Sequence, residues 1–193
     1  MKVINLDDIR HCVRVANISM NLADLLGLTK NKKDDLYLSC IFHDIGKAFL
    51  DQKILNKPGK LTTQEKNHIE CHPVFGYQEV KQSGYSDSIA KAILYHHENF
   101  DGTGYPGKVK GAKIPLGARI IKIADCFDAL TTDRPYRAAL TEAQALQIME
   151  SEKPNYDPEV YQFFIHSLAQ YKDLNKNIKW GELRWYNTLN SRG

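Results

Sequence analysis

An all-α fold, a compact bundle of about seven or eight helices in one domain, is what the sequence predicts. Three observations carry that expectation. Apolar residues recur at spacings of three and four along most of the chain. Alternating strand patterns are nearly absent. No repeat, low-complexity tract or linker divides the 193 residues. The domain is placed over residues 1–172, and a polar tail with two Trp over 173–193.

Each element has its own signal. From Ile4 to Leu28 the apolar positions Ile9, Val13, Ala16, Met20, Ala23 and Leu26 line one face, and Gly27 is the stop signal. A second helix runs from Lys33 to about Ile45, with Leu36, Ile41 and Phe42 apolar, and ends near Gly46. A third opens at Leu61, where Thr62 and Glu65 have the spacing of a capping box, and heads toward Val80. Pro73 lies inside it and predicts a kink or restart just past His72. Ser86 to about His97 is the fourth. Residues 98–116, rich in Gly and Pro, read as a long ordered or semi-ordered loop of the kind that carries function. Helical period returns from Leu116 to about Leu130, then from Thr141 to Glu150 and from Pro158 to Tyr171.

Composition excludes several classes of protein. With 42% hydrophobic and 25% charged residues the chain can bury a core under an ordinary surface, which argues against disorder. A net charge of +3 is too small to make long nucleic acid the main partner. No apolar run approaches the ~18–20 residues of a membrane span, and the opening residues turn acidic where a signal peptide would be apolar. A cytoplasmic protein with reduced thiols is therefore expected. Cys12, Cys40, Cys71 and Cys126 form no CxxC, and Cys40 reads as a small thiol filling the core.

The histidines are the chemical signal. Six of the seven lie between positions 11 and 97. His11 is mid-helix, His43-Asp44 closes a helix, His72 precedes the proline break, and His96-His97 closes another. Asp125 sits among Ile120, Ile121, Ile123 and Phe127, where a carboxylate costs several kcal/mol unless it is paired. A lone His is more often a hydrogen-bonded core or surface residue than a ligand. Together, in a helical bundle, these segments can converge on a metal. Nitrogen and oxygen donors without sulfur suit Fe, Mn, Zn or Co better than Mg or Ca.

Two strings carry a family resemblance: His43-Asp44-Ile45-Gly46-Lys47, and His96-His97-Glu98-Asn99-Phe100-Asp101-Gly102-Thr103-Gly104-Tyr105-Pro106. With His72-Pro73, Arg119-Ile120, Ala124-Asp125 and the run from Ala129 to Arg137, the chain resembles the HD-GYP phosphodiesterases over roughly residues 8–165. The resemblance implies an HD-type bundle with two divalent metal ions, iron or manganese being expected. His11, His43, Asp44 and Asp125 would hold the first ion, and Asp44 would bridge to a second held by His72, His96 and His97. Three-metal members have a glutamate where this chain has the shorter Asp7, which weakens the case for a third ion.

The implied reaction is hydrolysis of a cyclic dinucleotide by a metal-activated hydroxide, most readily cyclic di-GMP to pGpG and onward to GMP, with 3′,3′-cyclic GMP-AMP the related substrate. Asp44 and Lys47 would be the catalytic residues. Lys47, Tyr105, Arg134 and Arg137 would bind substrate, and Asp128 would orient Lys47 or a ligand histidine. His68 reads as a surface or supporting residue and His166 as unrelated to the site. Family members commonly join this domain to a sensor, receiver or diguanylate cyclase domain, the expected partner. Two alternatives stay open: a mononucleotide phosphohydrolase of the HD superfamily, and a non-catalytic module that binds cyclic dinucleotides.

Overall fold

The structure, a computed structural model, describes residues 6–133 and 137–175, the side chains of 6–8 and 169–175 excepted. Its regular elements are helical. They are α1 (Leu6–Leu25), α2 (Lys30–Phe42), α3 (Gln52–Leu55), α4 (Thr63–Ile69), α5 (His72–Gln82), α6 (Asp87–Tyr95), α7 (Leu116–Thr131), α8 (Glu142–Ser151) and α9 (Pro158–Asn175). Short 3₁₀ turns lie at Ile45–Phe49, Gly111–Lys113 and Lys153–Asn155. No described helix is long and apolar enough to cross a membrane.

Local chemistry sets most boundaries. Thr62 and Glu65 form the expected capping box: the Thr62 hydroxyl accepts the Glu65 N–H, and the Glu65 carboxylate accepts the Thr62 N–H at 2.8 Å. Thr141 and Gln144 repeat the device at α8, and the Ser86 hydroxyl caps α6. Two expectations are corrected. The second helix stops at Phe42 rather than about Ile45, and a 3₁₀ turn takes over. The restart falls at His72 itself, because Pro73 is tolerated in a first turn, where its missing N–H has no partner to lose. The α3 turn was not legible in the pattern.

Helix α7 is central, packing against α1, α2, α6, α8 and α9. Its Ile120, Ile121, Ile123 and Ala124 are fully buried with Val15, Leu22, Cys40, Met149 and Phe164. A smaller cluster of Val80, Ile89, Ala90 and Ile93 ties α5 to α6. Burying such aliphatic side chains contributes roughly 1.5–3 kcal/mol each. Asp157 ties the start of α9 to the start of α7. It caps α9 by accepting the Glu159 and Val160 N–H groups, and its carboxylate pairs with the Arg119 guanidinium.

A close approach between two backbones sets the position of Asp44. A Cβ on Gly46 would lie 1.9 Å from the His72 carbonyl oxygen and 2.6 Å from the Gly76 nitrogen. The turn after α2 thus touches α5 backbone to backbone. That contact brings Asp44 against His72.

Candidate metal centre

Six of the seven candidate ligands lie at or beside the ends of helices or in α7, and their backbones explain their aim. His43 and His96 are the C-terminal caps of α2 and α6, where orphan carbonyls and the helix dipole favour a cation. Each turns its Nδ1 onto the carbonyl three residues back, His43 to Cys40 at 2.7 Å and His96 to Ile93 at 2.6 Å. His72 does the same with Ile69 at 2.9 Å. Pro73 supplies no N–H four residues beyond Ile69, so that carbonyl is free for the ring. In all three the Nδ1 contact leaves Nε2 facing the cluster, the arrangement that orients metal-ligating histidines.

His11, on α1, is held by a carboxylate instead. Its Nδ1 lies 2.7 Å from Asp128 Oδ2, and Asp128 is gripped in turn by Arg14 through Nε at 2.6 Å and Nη2 at 3.1 Å. Asp128 therefore orients a histidine and not Lys47. Lys47 is turned to Asp44, with Nζ 2.6 Å from Oδ2.

The side chains converge as two groups. Asp44, His72, His96 and His97 place one ligand atom each within 4.8 Å of one another, and so do His11, His43 and Asp125. His11 Nε2 is 3.2 Å from Asp125 Oδ1, and His72 Nε2 is 3.4 Å from both Asp44 Oδ1 and His96 Nε2. Asp44 faces both groups: Oδ2 lies 3.4 Å from His43 Nε2 and 3.9 Å from His11 Nε2, while Oδ1 meets His72. Donors about 2.0–2.2 Å from a shared ion stand about 3–4 Å from each other, which these spacings match. The fully buried His43 Nε2 has no hydrogen-bond partner. A buried donor set of five imidazoles and two carboxylates, with one ring nitrogen left orphaned, fits divalent cations.

The electrostatics differ between the halves. Burial alone would lower the His11 pKa, but hydrogen bonds to Asp125 and Asp128 overturn it and hold it up at about 9. Burial likewise opposes charge on His43, and Asp44 beside it raises the pKa well above the ordinary value. In the other half burial prevails. His96 is held well below the usual range, with His97 and His43 adding repulsion, and His97 is pushed down to about 3. His72 is lowered by burial against the pull of Asp44. Burial raises the carboxyls of Asp44 and Asp125, but Lys47 and His43 for the first and His11 for the second hold both well below the usual range.

The 98–116 loop closes one side. Its anchor is Glu98, 2% exposed, whose carboxylate accepts the N–H groups of Gly107 at 2.6 Å and Val109 at 3.1 Å. A Cβ on Gly104 would lie 2.3 Å from the Asn99 nitrogen, so only glycine lets the loop fold back there. Tyr105 is thereby stacked on His97, ring centroids 4.8 Å apart. Beside them opens a cavity of about 370 Å³, lined by Leu61, Ile69, Asn99, Tyr105 and Lys122 among others.

Not every expected residue reaches the centre. Arg137 donates Nη2–H to the carbonyls of Ala129 and Leu130, closing the C-terminal end of α7. Arg134 and the Asp7 side chain lie outside the described residues. His68 Nε2 accepts the Asp51 N–H at 3.0 Å and joins α4 to the start of α3, and His166 is exposed on α9. Sequence reasoning missed Arg14 and the anchoring role of Glu98. Only Glu98 left a signal, as an acid placed between two histidines and a glycine-rich loop.

Known proteins resemble this chain in sequence and in fold. The HD domain family matches residues 7–160. The chain is 35% identical over 164 residues to the cyclic di-GMP phosphodiesterase response regulator RpfG of Xanthomonas campestris pv. campestris, covering 83% of this chain and 43% of that protein. It is 36% identical over 168 residues to 3′3′-cGAMP-specific phosphodiesterase 1 of Vibrio cholerae, covering 86% and 39%. It thus spans about two fifths of the length of these curated relatives. Among solved structures, Bd1817, an HD-GYP-type protein of Bdellovibrio bacteriovorus, superposes with a TM-score of 0.69 at 25% identity, covering 88% of this chain and 55% of that one. The chain belongs to the HD domain family, in its HD-GYP branch.

Proposed function

We propose that this chain hydrolyses a phosphodiester bond of a cyclic dinucleotide, cyclic di-GMP foremost, at a centre of two divalent ions, iron or manganese. The observation that carries the reading is Asp44, whose two carboxylate oxygens face two separate histidine groups. His11, His43, Asp44 and Asp125 would hold one ion, and Asp44, His72, His96 and His97 the other. When bound, such a pair supplies a nucleophilic water at neutral pH and a charge clamp for in-line displacement at phosphorus.

The chain's own groups do the rest. Lys47, one turn beyond His43-Asp44, carries an ammonium beside Asp44, where it would take a non-bridging oxygen of the scissile phosphate. The neutral imidazoles of His72, His96 and His97 leave a cation's charge undiminished for the developing oxyanion. Tyr105, fixed by its stack on His97, offers a ring face to a base and a phenol to a phosphate oxygen. Relatives named for cyclic di-GMP and for 3′3′-cGAMP support the substrate class.

The test pairs elemental analysis of anaerobically purified protein with turnover of cyclic di-GMP and 3′,3′-cyclic GMP-AMP, each followed to linear dinucleotide and mononucleotide. Two ions per chain are expected, with hydrolysis abolished in Asp44→Ala. Full activity in that variant would overturn the reading.

A further inference from the structure

We propose that Lys122 binds the second, non-scissile phosphate of the cyclic dinucleotide and so selects two-phosphate substrates over single-phosphate ones. This role rests on the phosphodiesterase reading and extends it to a residue outside the ligand set.

Lys122 lies three positions before Asp125 on α7, hence on the same helix face. It is half-buried and lines the 370 Å³ cavity beside His97 and Tyr105. The other charged residues lining that cavity, Lys66 and Glu70, answer each other at 3.6 Å. Among the described residues Lys122 makes no ion pair and no hydrogen bond. A half-buried ammonium with no counter-charge is an unmet demand for an anion.

The setting matches the shape of the substrate class. Lys47 stands at Asp44, and Lys122 stands on the His97 side, so two ammonium groups flank the centre. A cyclic dinucleotide carries two phosphodiesters on one ring. When one is at the ligand cluster, the other occupies the adjoining space. The polar donors of the wall are already used: the Asn99 amide donates to Thr103, and both the N–H and the hydroxyl of Thr103 donate to Asp101. With Lys66 paired to Glu70, Lys122 is the described cation of this lining left to meet an entering phosphate. A mononucleotide or a simple diester places nothing in this space.

The test uses the metal-loaded full chain with Lys122→Gln and Lys122→Arg. The readouts are kcat and KM for cyclic di-GMP and for bis(p-nitrophenyl) phosphate, together with ion content and thermal melting. In Lys122→Gln, KM for cyclic di-GMP should rise about 10- to 100-fold, and the preference for it over bis(p-nitrophenyl) phosphate, as a ratio of kcat/KM, should fall by the same factor. Lys122→Arg should restore most of that ratio. An unmoved KM, an equal loss on both substrates, or a fall in ion content in Lys122→Gln would each overturn the assignment while the proposed reaction stands. A wild type that cleaves bis(p-nitrophenyl) phosphate but neither cyclic dinucleotide overturns the reaction, and the assignment with it.

Discussion

Replacing Gly46 with alanine adds a single methyl group where the structure has no room. Its carbon would sit 1.9 Å from the His72 carbonyl oxygen, 2.8 Å from the His72 carbonyl carbon and 2.6 Å from the Gly76 nitrogen. All three are backbone atoms, so no rotamer change relieves the clash. The turn at Ile45–Phe49 and the start of α5 must separate by about 1.5 Å before ordinary contact is reached. Asp44 and His72 ride on those two segments, their 3.4 Å approach holds one ligand group together, and the other oxygen of Asp44 faces the second group. A displacement of about 1 Å at a reacting centre costs about 100-fold in rate. The overpacking itself costs about 1–3 kcal/mol of stability. The assay is cyclic di-GMP turnover beside ions per chain and a urea melt. Gly46→Ala is expected to lose turnover and at least one ion while remaining folded. Gly76→Ala is the milder comparison at the same interface, because its tightest new contact is the Ile93 Cγ2 methyl at 3.0 Å and its nearest backbone contact is 3.4 Å. Wild-type ion content with turnover within about threefold in Gly46→Ala would refute the claim that this backbone contact sets the centre.

Single side chains carry three further expectations. Asp128→Asn removes the charge that holds His11 Nδ1 and Arg14, so ion retention against a chelator should weaken about 10- to 100-fold with the fold intact, and unchanged retention would refute the orienting role. Glu98→Gln leaves one acceptor for two loop N–H groups, so hydrogen exchange at Gly107 and Val109 should quicken about 10- to 100-fold; protection equal to wild type would show that the loop is anchored elsewhere. Asp157→Ala strips the α9 cap and leaves Arg119 without its partner, which should cost about 3–5 kcal/mol in a denaturant melt, and a loss under about 1 kcal/mol would refute it.

These residues also mark where sequence reasoning reached and where it stopped. Capping is a local code, written between residues three apart, so the Thr62–Glu65 device and the helix it opens were legible from spacing, as was Thr141 as the start of another helix. The histidine strings were legible for a related reason: each motif closes one helix, and a bundle brings such ends together. What closes over distance was legible only in part. Asp128 read as a support for Lys47 or a ligand histidine, but that its partner is His11, 117 positions away, is shown only by the fold. Gly46 was visible as a helix stop, yet its tertiary role, admitting the His72 carbonyl, depends on α5 passing at that point. Lys122 makes the same point from the opposite side. Period alone places it on the Asp125 face, but only the fold shows that no acid among the described residues pairs with it. The metal-binding chemistry is thus concentrated in short motifs, whereas the geometry that makes the chemistry selective is spread across contacts between distant segments. Variants at Gly46, Asp128 and Lys122 should therefore separate the spacing of the centre, the retention of its ions and the choice of substrate, three properties that a change at Asp44 would alter together.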